Sequence, residues 1–203
     1  RNVASSLLGV APLVRNSAQQ RYVNELGRWL ALHSGRPDLP WKFGIVEADT
    51  VNAFATPGGV IFVSRGLVQR TRSESELAGV LAHEIAHVSE RHALRAMLAN
   101  LGIVAALRYL AGNVDFLPAY AEDGALVAAT RAFGRDEELE ADTVGVRTML
   151  AADLDPRGLA DVFRTLRDTP GSEMPGMLAW MSTHPEHADR IANVERLARR
   201  AGT

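Results

Sequence analysis

Residues 17–34, SAQQRYVNELGRWLALHS, set Val23, Leu26, Leu30 and Leu32 among polar neighbours about one helical turn apart, which predicts an amphipathic helix. After a Pro-bounded turn at 35–40 the period changes. Residues 41–47 and 59–64 read as extended segments flanking a Pro57-Gly58-Gly59 turn, and VNAFA (51–55) reads as a strand of its own. Together they predict a small sheet of two or three strands. From about residue 70 onward the pattern is helical. Ser73 followed by Glu76 is a capping box ahead of LAGVLAHEIAHV, so a long helix is expected over 73–99. Further helices are expected over 100–111, with a break at Gly102, and over 122–152, interrupted near Gly134. Asp155-Pro156 opens another over 156–167, and 187–200 closes the chain as a charged helix. TPGSEMPG (169–176) is a Pro/Gly-rich loop.

The predicted fold is mostly α with a small β-sheet, an α+β domain. Its length of 203 residues fits one domain: an N-terminal helical segment (1–40), the sheet (41–68), the helix over 73–99, a second functional helix over 135–152 and a loop at 169–190. A net charge of −2 gives no electrostatic reason to expect nucleic acid. The longest apolar stretch, LGIVAALRYLAG (101–112), is too short to span a membrane and carries Arg108, so it reads as a buried helix ahead of an interfacial one. The chain opens at Arg1 with neither initiator methionine nor signal sequence, as expected of a trimmed or mature form whose targeting segment is out of view.

The chemistry lies in HEIAH. On a helix, His83 and His87 are i and i+4 and point the same way, so both imidazoles can bind one ion. Glu84 flanks them and can reach water beside the ion, taking its proton and passing it to a leaving amine. Such a match arises by chance about once in a hundred chains of this composition. A third ligand has to come from another helix, and GRDEELEADTVGVR (134–147) offers Glu138 and Asp142 on one face with Ala141 and Gly145. Those small residues allow a close approach to the HEIAH helix, leaving Glu138 to reach the ion and Asp142 to accept the outer N–H of a liganding histidine. Read alone, the same acids serve equally well as the start of a solvated helix; beside HEIAH the metal reading is preferred. The chain has no cysteine, which excludes disulfides and thiolate sites, and two histidines with one carboxylate is the composition of a catalytic zinc site.

HEIAHVSERH (83–92), R-x-x-E-x-E-A-D (135–142), NAFATPGG (52–59) and THP (183–185) together resemble the zinc metallopeptidases grouped with HtpX, BepA and the CAAX prenyl endopeptidases. The resemblance runs from about 45 to 195 and lies nearest the soluble, BepA-like branch. It implies a zincin-like fold, one Zn2+ per chain held by His83, His87 and Glu138, Glu84 as general base, Asp142 behind the ligands, and Arg135 in a motif position of unassigned role. It also implies that Asn52, Ala53, Phe54 and Ala55 form an edge strand to which an extended substrate can add. Read alone, His184 before a proline is a capping or packing residue. The resemblance makes it a fourth zinc ligand that latches the site, and both readings stand at this point. His187 is its rival, expected on the first turn of the last helix; His92 is expected to pack or hydrogen-bond near the sheet, and His33 at the surface.

The expected function is a zinc metalloendopeptidase acting on unfolded or misassembled proteins in a bacterial periplasm or envelope. Protein or peptide substrates and membrane-associated protein partners are implied, and no nucleic acid. A latched, zinc-containing chaperone-like module is the alternative, and a metal-free helical interaction domain a third.

Overall fold

The computed structural model describes residues 12–15, 17–96, 98–99, 133–168, 179–185 and 188–202. The helix expected over 100–111, the first part of the one expected over 122–152, the 169–176 loop and His187 lie outside them. Helix α1 (Ser17–Leu32) is followed by strands β1 (Lys42–Val46), β2 (Ala53–Ala55) and β3 (Val60–Ser64) and helices α2 (Arg65–Arg70), α3 (Glu74–Ser89), α4 (Arg135–Ala151), α5 (Gly158–Arg167), α6 (Ala179–Thr183) and α7 (Ala188–Arg200). The described residues are mostly helical with one small sheet, as the hydrophobic pattern predicts.

The sheet order is β1-β3-β2, with β1 parallel and β2 antiparallel to β3. Both outer strands therefore have a free side, and the molecule treats the two differently. Along β1, Gln20 of α1 donates to the Phe43 carbonyl (3.1 Å) and accepts from the Ile45 amide (3.0 Å), while Val14 N–H donates to Ile45 O (2.9 Å). These bonds cover an edge that would otherwise invite another strand. Along β2, residues 52 and 56 bond to β3 through Ser64 N–H to Asn52 O and Thr56 N–H to Val60 O. The backbone groups of Val51, Ala53 and Ala55 alternate with these and face outward.

Val23, Leu26, Leu30 and Ala31 turn the buried face of α1 to this sheet, whereas Leu32, expected on the same stripe, is exposed. Leu32 lies about 200° around the helix from Leu30 and so faces away from the core, while Ala31 is buried beside Leu30. The strand pattern also ends earlier than its apolar run suggests. Ser64 Oγ accepts from Leu67 N–H and caps α2, so residues 65–68, read as part of the sheet segment, are helical.

Helix α3 is the axis of the molecule, buried continuously from Glu76 to Val88. Ser73 Oγ accepts from Glu76 N–H (3.1 Å), as a capping box requires, but the return half of the box is displaced. The Glu76 carboxylate accepts from Arg72 N–H (2.7 Å) and from Thr165 Oγ1 (2.8 Å), which ties the start of α3 to α5. The helix expected over 73–99 ends at Ser89. Arg91 has φ of 59°, the left-handed conformation that closes helices, and residues 92–96 resume as a separate helical turn. Among the described residues no helix is long and apolar enough to cross a membrane.

Two helices lie on α3 at backbone distance. A Cβ on Gly145 of α4 would meet Ala82 C and His83 N at 3.4 Å, and a Cβ on Gly79 would stand 2.7 Å from the Leu159 backbone of α5. Gly79→Ala gains about 1 kcal/mol of helix propensity but drives a methyl into backbone that cannot give way. The expected net result is a loss of about 1–2 kcal/mol in urea unfolding. At Gly35, where an added Cβ meets nothing within 4 Å, the same change stays within about 0.5 kcal/mol.

Candidate metal centre

His83, Glu84 and His87 project from the buried middle of α3 toward the first two turns of α4, where Glu138 and Asp142 share one face. Small residues make the meeting possible: Ala141 and Gly145 on α4 lie against Ala82 and the backbone of α3. His184, just beyond α6, closes the group from a third side. One donor atom from each of His83, His87, Glu138 and His184 falls within 4.8 Å of all the others, and all four residues are buried.

The spacing within the group is that of a coordination shell. A tetrahedral ion with bonds of about 2.0–2.1 Å separates its donors by about 3.3–3.4 Å. Here His83 Nε2 is 3.0 Å from His87 Nε2 and 3.2 Å from His184 Nδ1, while Glu138 Oε1 is 3.0 Å from His184 Nδ1 and 3.5 Å from His87 Nε2. Three ring nitrogens and a carboxylate oxygen, each able to offer a lone pair, converge on a buried space of ionic size. Charge leads to the same conclusion. Glu84, Glu138 and Asp142 are buried together against the single guanidinium of Arg190, leaving two negative charges that a divalent cation balances. The donor set therefore fits a metal ion, and its hard and borderline ligands without thiolate suit zinc.

The ionisation of the metal-free cluster follows from the same imbalance. Burial works against a charged His83 ring, but the carboxylates of Asp142 and Glu138 beside it outweigh burial and push its pKa up to about 9. His87 is held well below the ordinary histidine value, chiefly by burial and also by the neighbouring His83 and His184 rings. Burial opposes ionisation of Glu138, yet His184, His83 and His87 hold it far below the usual carboxylate range.

A second layer fixes the first. Asp142 Oδ1 lies 3.0 Å from His83 Nδ1, so His83 meets the cluster through Nε2 and its holder through the other nitrogen. Arg190 of α7 forks onto Asp142 with two bonds of 2.7 Å, stands 2.6 Å from Glu138 Oε2, and donates to Pro185 O (3.0 Å). The Glu84 carboxylate is covered as well. Its Oε1 accepts from the indole N–H of Trp180 (2.8 Å) and lies 3.3 Å from His184 Nε2. Trp180 itself is buried, stacks on Phe163, and donates its backbone N–H to Val51 O (3.0 Å) next to β2.

The residues singled out from sequence thus fall into one cluster, with residues 52–55 on the sheet edge beside it. His92 is a correction. It packs not at the sheet but against His87, with Nδ1 2.7 Å from His87 Nδ1 and Nε2 2.9 Å from Glu140 Oε2. Arg135 pairs with Asp189 near the surface, and half-buried His33 stacks edge-on against Trp29. Arg190 and Trp180 escaped the sequence reading. Arg190 was within reach, close after THP (183–185) in the sequence, but nothing local marks a buried arginine.

A helix-borne His-Glu-x-x-His with a carboxylate from a second helix is the arrangement of a metallopeptidase active site. The chain belongs to peptidase family M48, whose profile matches residues 17–198. It is 32% identical over 208 residues to the beta-barrel assembly-enhancing protease of Escherichia coli K12, covering 95% of this chain and 41% of that protein. The Yersinia pestis protein of the same name is 33% identical over 204 residues, covering 93% and 40%. The mitochondrial metalloendopeptidase OMA1 of Schizosaccharomyces pombe is 30% identical over 174 residues, covering 86% and 51%. The chain thus spans about two fifths of the length of the bacterial relatives.

Arg190→Met leaves Asp142 and Glu138 buried without their cation and is expected to cost about 3–5 kcal/mol in urea unfolding with chelator present. Arg190→Lys recovers little of that, because an ammonium cannot fork across both Asp142 oxygens. A Met variant as stable as the parent would show that the pair is not needed for folding.

Proposed function

We propose that this chain is the catalytic domain of a zinc metalloendopeptidase that cuts unfolded or misassembled proteins in a bacterial envelope, and that His184 holds it closed. The single observation that carries the reading is the four-donor cage with Glu84 beside it. Zinc bound there, one per chain, supplies Lewis acidity, which lowers the pKa of water and polarises a peptide carbonyl. His83, His87 and Glu138 hold the ion, and Asp142 orients His83. Glu84 takes the proton of the attacking water on its carboxylate and returns it to the leaving amine. The outward backbone groups of Ala53 and Ala55, next to the Val51 carbonyl held by Trp180, give an extended substrate a strand to pair with, a mode that reads backbone and tolerates varied side chains. Support for the envelope setting, and for substrates or partners connected with β-barrel assembly, comes from the names of the bacterial relatives.

A second reading has its own observation: in this arrangement His184 occupies the fourth corner and Trp180 covers the base, as in a latched binding module. One experiment separates the two. With casein as an unfolded substrate, zinc-loaded His184→Ala is expected to cleave about tenfold or more faster than the parent. Adding Glu84→Gln should remove 100-fold or more of that rate while zinc stays bound, the usual contribution of a general base being about 10²–10⁴. Undiminished cleavage with Glu84→Gln would overturn the mechanism. A silent His184→Ala protein would favour the module.

Metal uptake should also move a proton. Below pH of about 9 the metal-free site keeps one on His83, and an ion needs the lone pair beneath it. Binding at pH 7 is therefore expected to release about one proton from His83, and affinity to rise with pH toward about 9. Calorimetry in buffers of different protonation enthalpy measures this, and zero release would show that the ring is already neutral.

A further inference from the structure

His92 is fully buried, and no step above uses it. Its place depends on the break after α3: Arg91 at φ of 59° turns the chain so that the His92 ring returns onto His87, centroids 4.8 Å apart and planes near perpendicular. On one side its Nδ1 is 2.7 Å from His87 Nδ1, and on the other its Nε2 is 2.9 Å from Glu140 Oε2. Arg95 holds the same Glu140 oxygen at 2.9 Å, and Glu140 is half-exposed on α4.

With His87 Nε2 serving as a metal ligand, the proton inventory of this chain runs one way. An ionised Glu140 can only accept, so His92 Nε2 carries the hydrogen and donates to it. A neutral His92 then has a bare Nδ1, which accepts from His87 Nδ1–H. His87 is left with its lone pair on Nε2, the atom that faces His83 and Glu138 in the cage. Helix geometry explains why a second ring is needed. Glu138, Glu140 and Asp142 alternate along α4, so Glu138 and Asp142 share the inner face while Glu140, two residues from each, lies around the helix. Asp142 reaches His83 directly, and Glu140 reaches His87 only through the length of an imidazole.

We infer that His92 and Glu140 are positioning residues for the metal centre, a relay that fixes the tautomer and ring orientation of His87 as Asp142 does for His83. The inference rests on the proposed zinc site and extends it to His92, just beyond α3, and to Glu140, on the helix that carries the third ligand.

The test measures zinc dissociation constants of the folded chain by chelator competition, with the absorption spectrum of the cobalt(II)-loaded protein as a second readout. His92→Phe keeps the ring volume without nitrogen and is expected to weaken zinc about 10–100-fold, the usual cost of losing such a partner. His92→Asn returns an acceptor near Nδ1 and should recover most of that loss, which a purely packing role would not produce. Glu140→Ala should weaken zinc in the parent background but add nothing to His92→Phe, because the relay is already cut. Parent-like affinity in His92→Phe, or a full additive loss from Glu140→Ala on top of it, overturns the inference. Where His92→Phe does not fold, Glu140→Ala decides alone: unchanged affinity and an unchanged cobalt spectrum overturn it. A parent chain that binds no zinc overturns the metal reading and the relay with it, whereas parent binding with unaltered variants overturns the relay only.

Discussion

Three carboxylates buried with the guanidinium of Arg190 are the constraint on which the rest of the molecule depends. Glu84, Glu138 and Asp142 are buried with Arg190, and no fold tolerates two uncompensated charges there without protons or a cation to meet them. The raised pKa of His83 is the metal-free answer to that demand. The histidine cage is the other answer, since a divalent ion balances the same deficit while leaving the rings neutral. What makes the site costly to fold without a metal is what lets it hold one.

Meeting that constraint requires two helices to come closer than ordinary side chains allow. Gly145 puts α4 against the backbone of Ala82 and His83, and Gly79 does the same for α5 on the other flank. The approach lets a short acidic side chain from α4 reach the middle of α3. Once the helices are that close, successive acids of α4 take different tasks by angle alone: Glu138 faces the cage, Asp142 backs His83, and Glu140 looks toward His92. Arg190 then joins α7 to the same acids, its guanidinium 4.5 Å from the centroid of the Phe163 ring, on which Trp180 also stacks.

Much of this was legible in the sequence because it is local. His83 and His87 one turn apart, Glu138 and Asp142 one turn apart, and small residues on the facing surfaces all follow from helical periodicity. The illegible parts depend on contacts distant in the chain or on one unusual dihedral. His92 reads as a packing residue until Arg91 adopts positive φ, and the same dihedral ends a helix that the apolar pattern carries to residue 99. Glu76 reads as the return half of a capping box, but α5 supplies Thr165, and the carboxylate reaches past Ser73 to Arg72. Arg190 lies 48 residues from the aspartate it serves, a separation that periodicity does not encode.

The closed arrangement also bears on how the site could open. Turning His184 aside would free one corner of the cage but leave Glu84 bonded to the Trp180 indole, so unlatching the ion and freeing the proposed base are not one event unless α6 moves. Trp180 links them: its side chain holds Glu84, its N–H holds Val51 O beside the proposed substrate edge, and its backbone carbonyl accepts from His184 N–H. Withdrawing a fully buried tryptophan from Phe163 costs on the order of 3–5 kcal/mol, by analogy with truncation of buried aromatics. An isolated domain would then be open about once in a hundred to a few thousand molecules. On the proposed reading, a substrate strand that took the Val51 carbonyl would replace one of the bonds lost, so binding at the sheet edge and release of the cage would draw on the same free energy. On that reading, regulation would follow from competition between α6 and an incoming chain for the same backbone edge, with His184 as the part of α6's reach that a metal would feel.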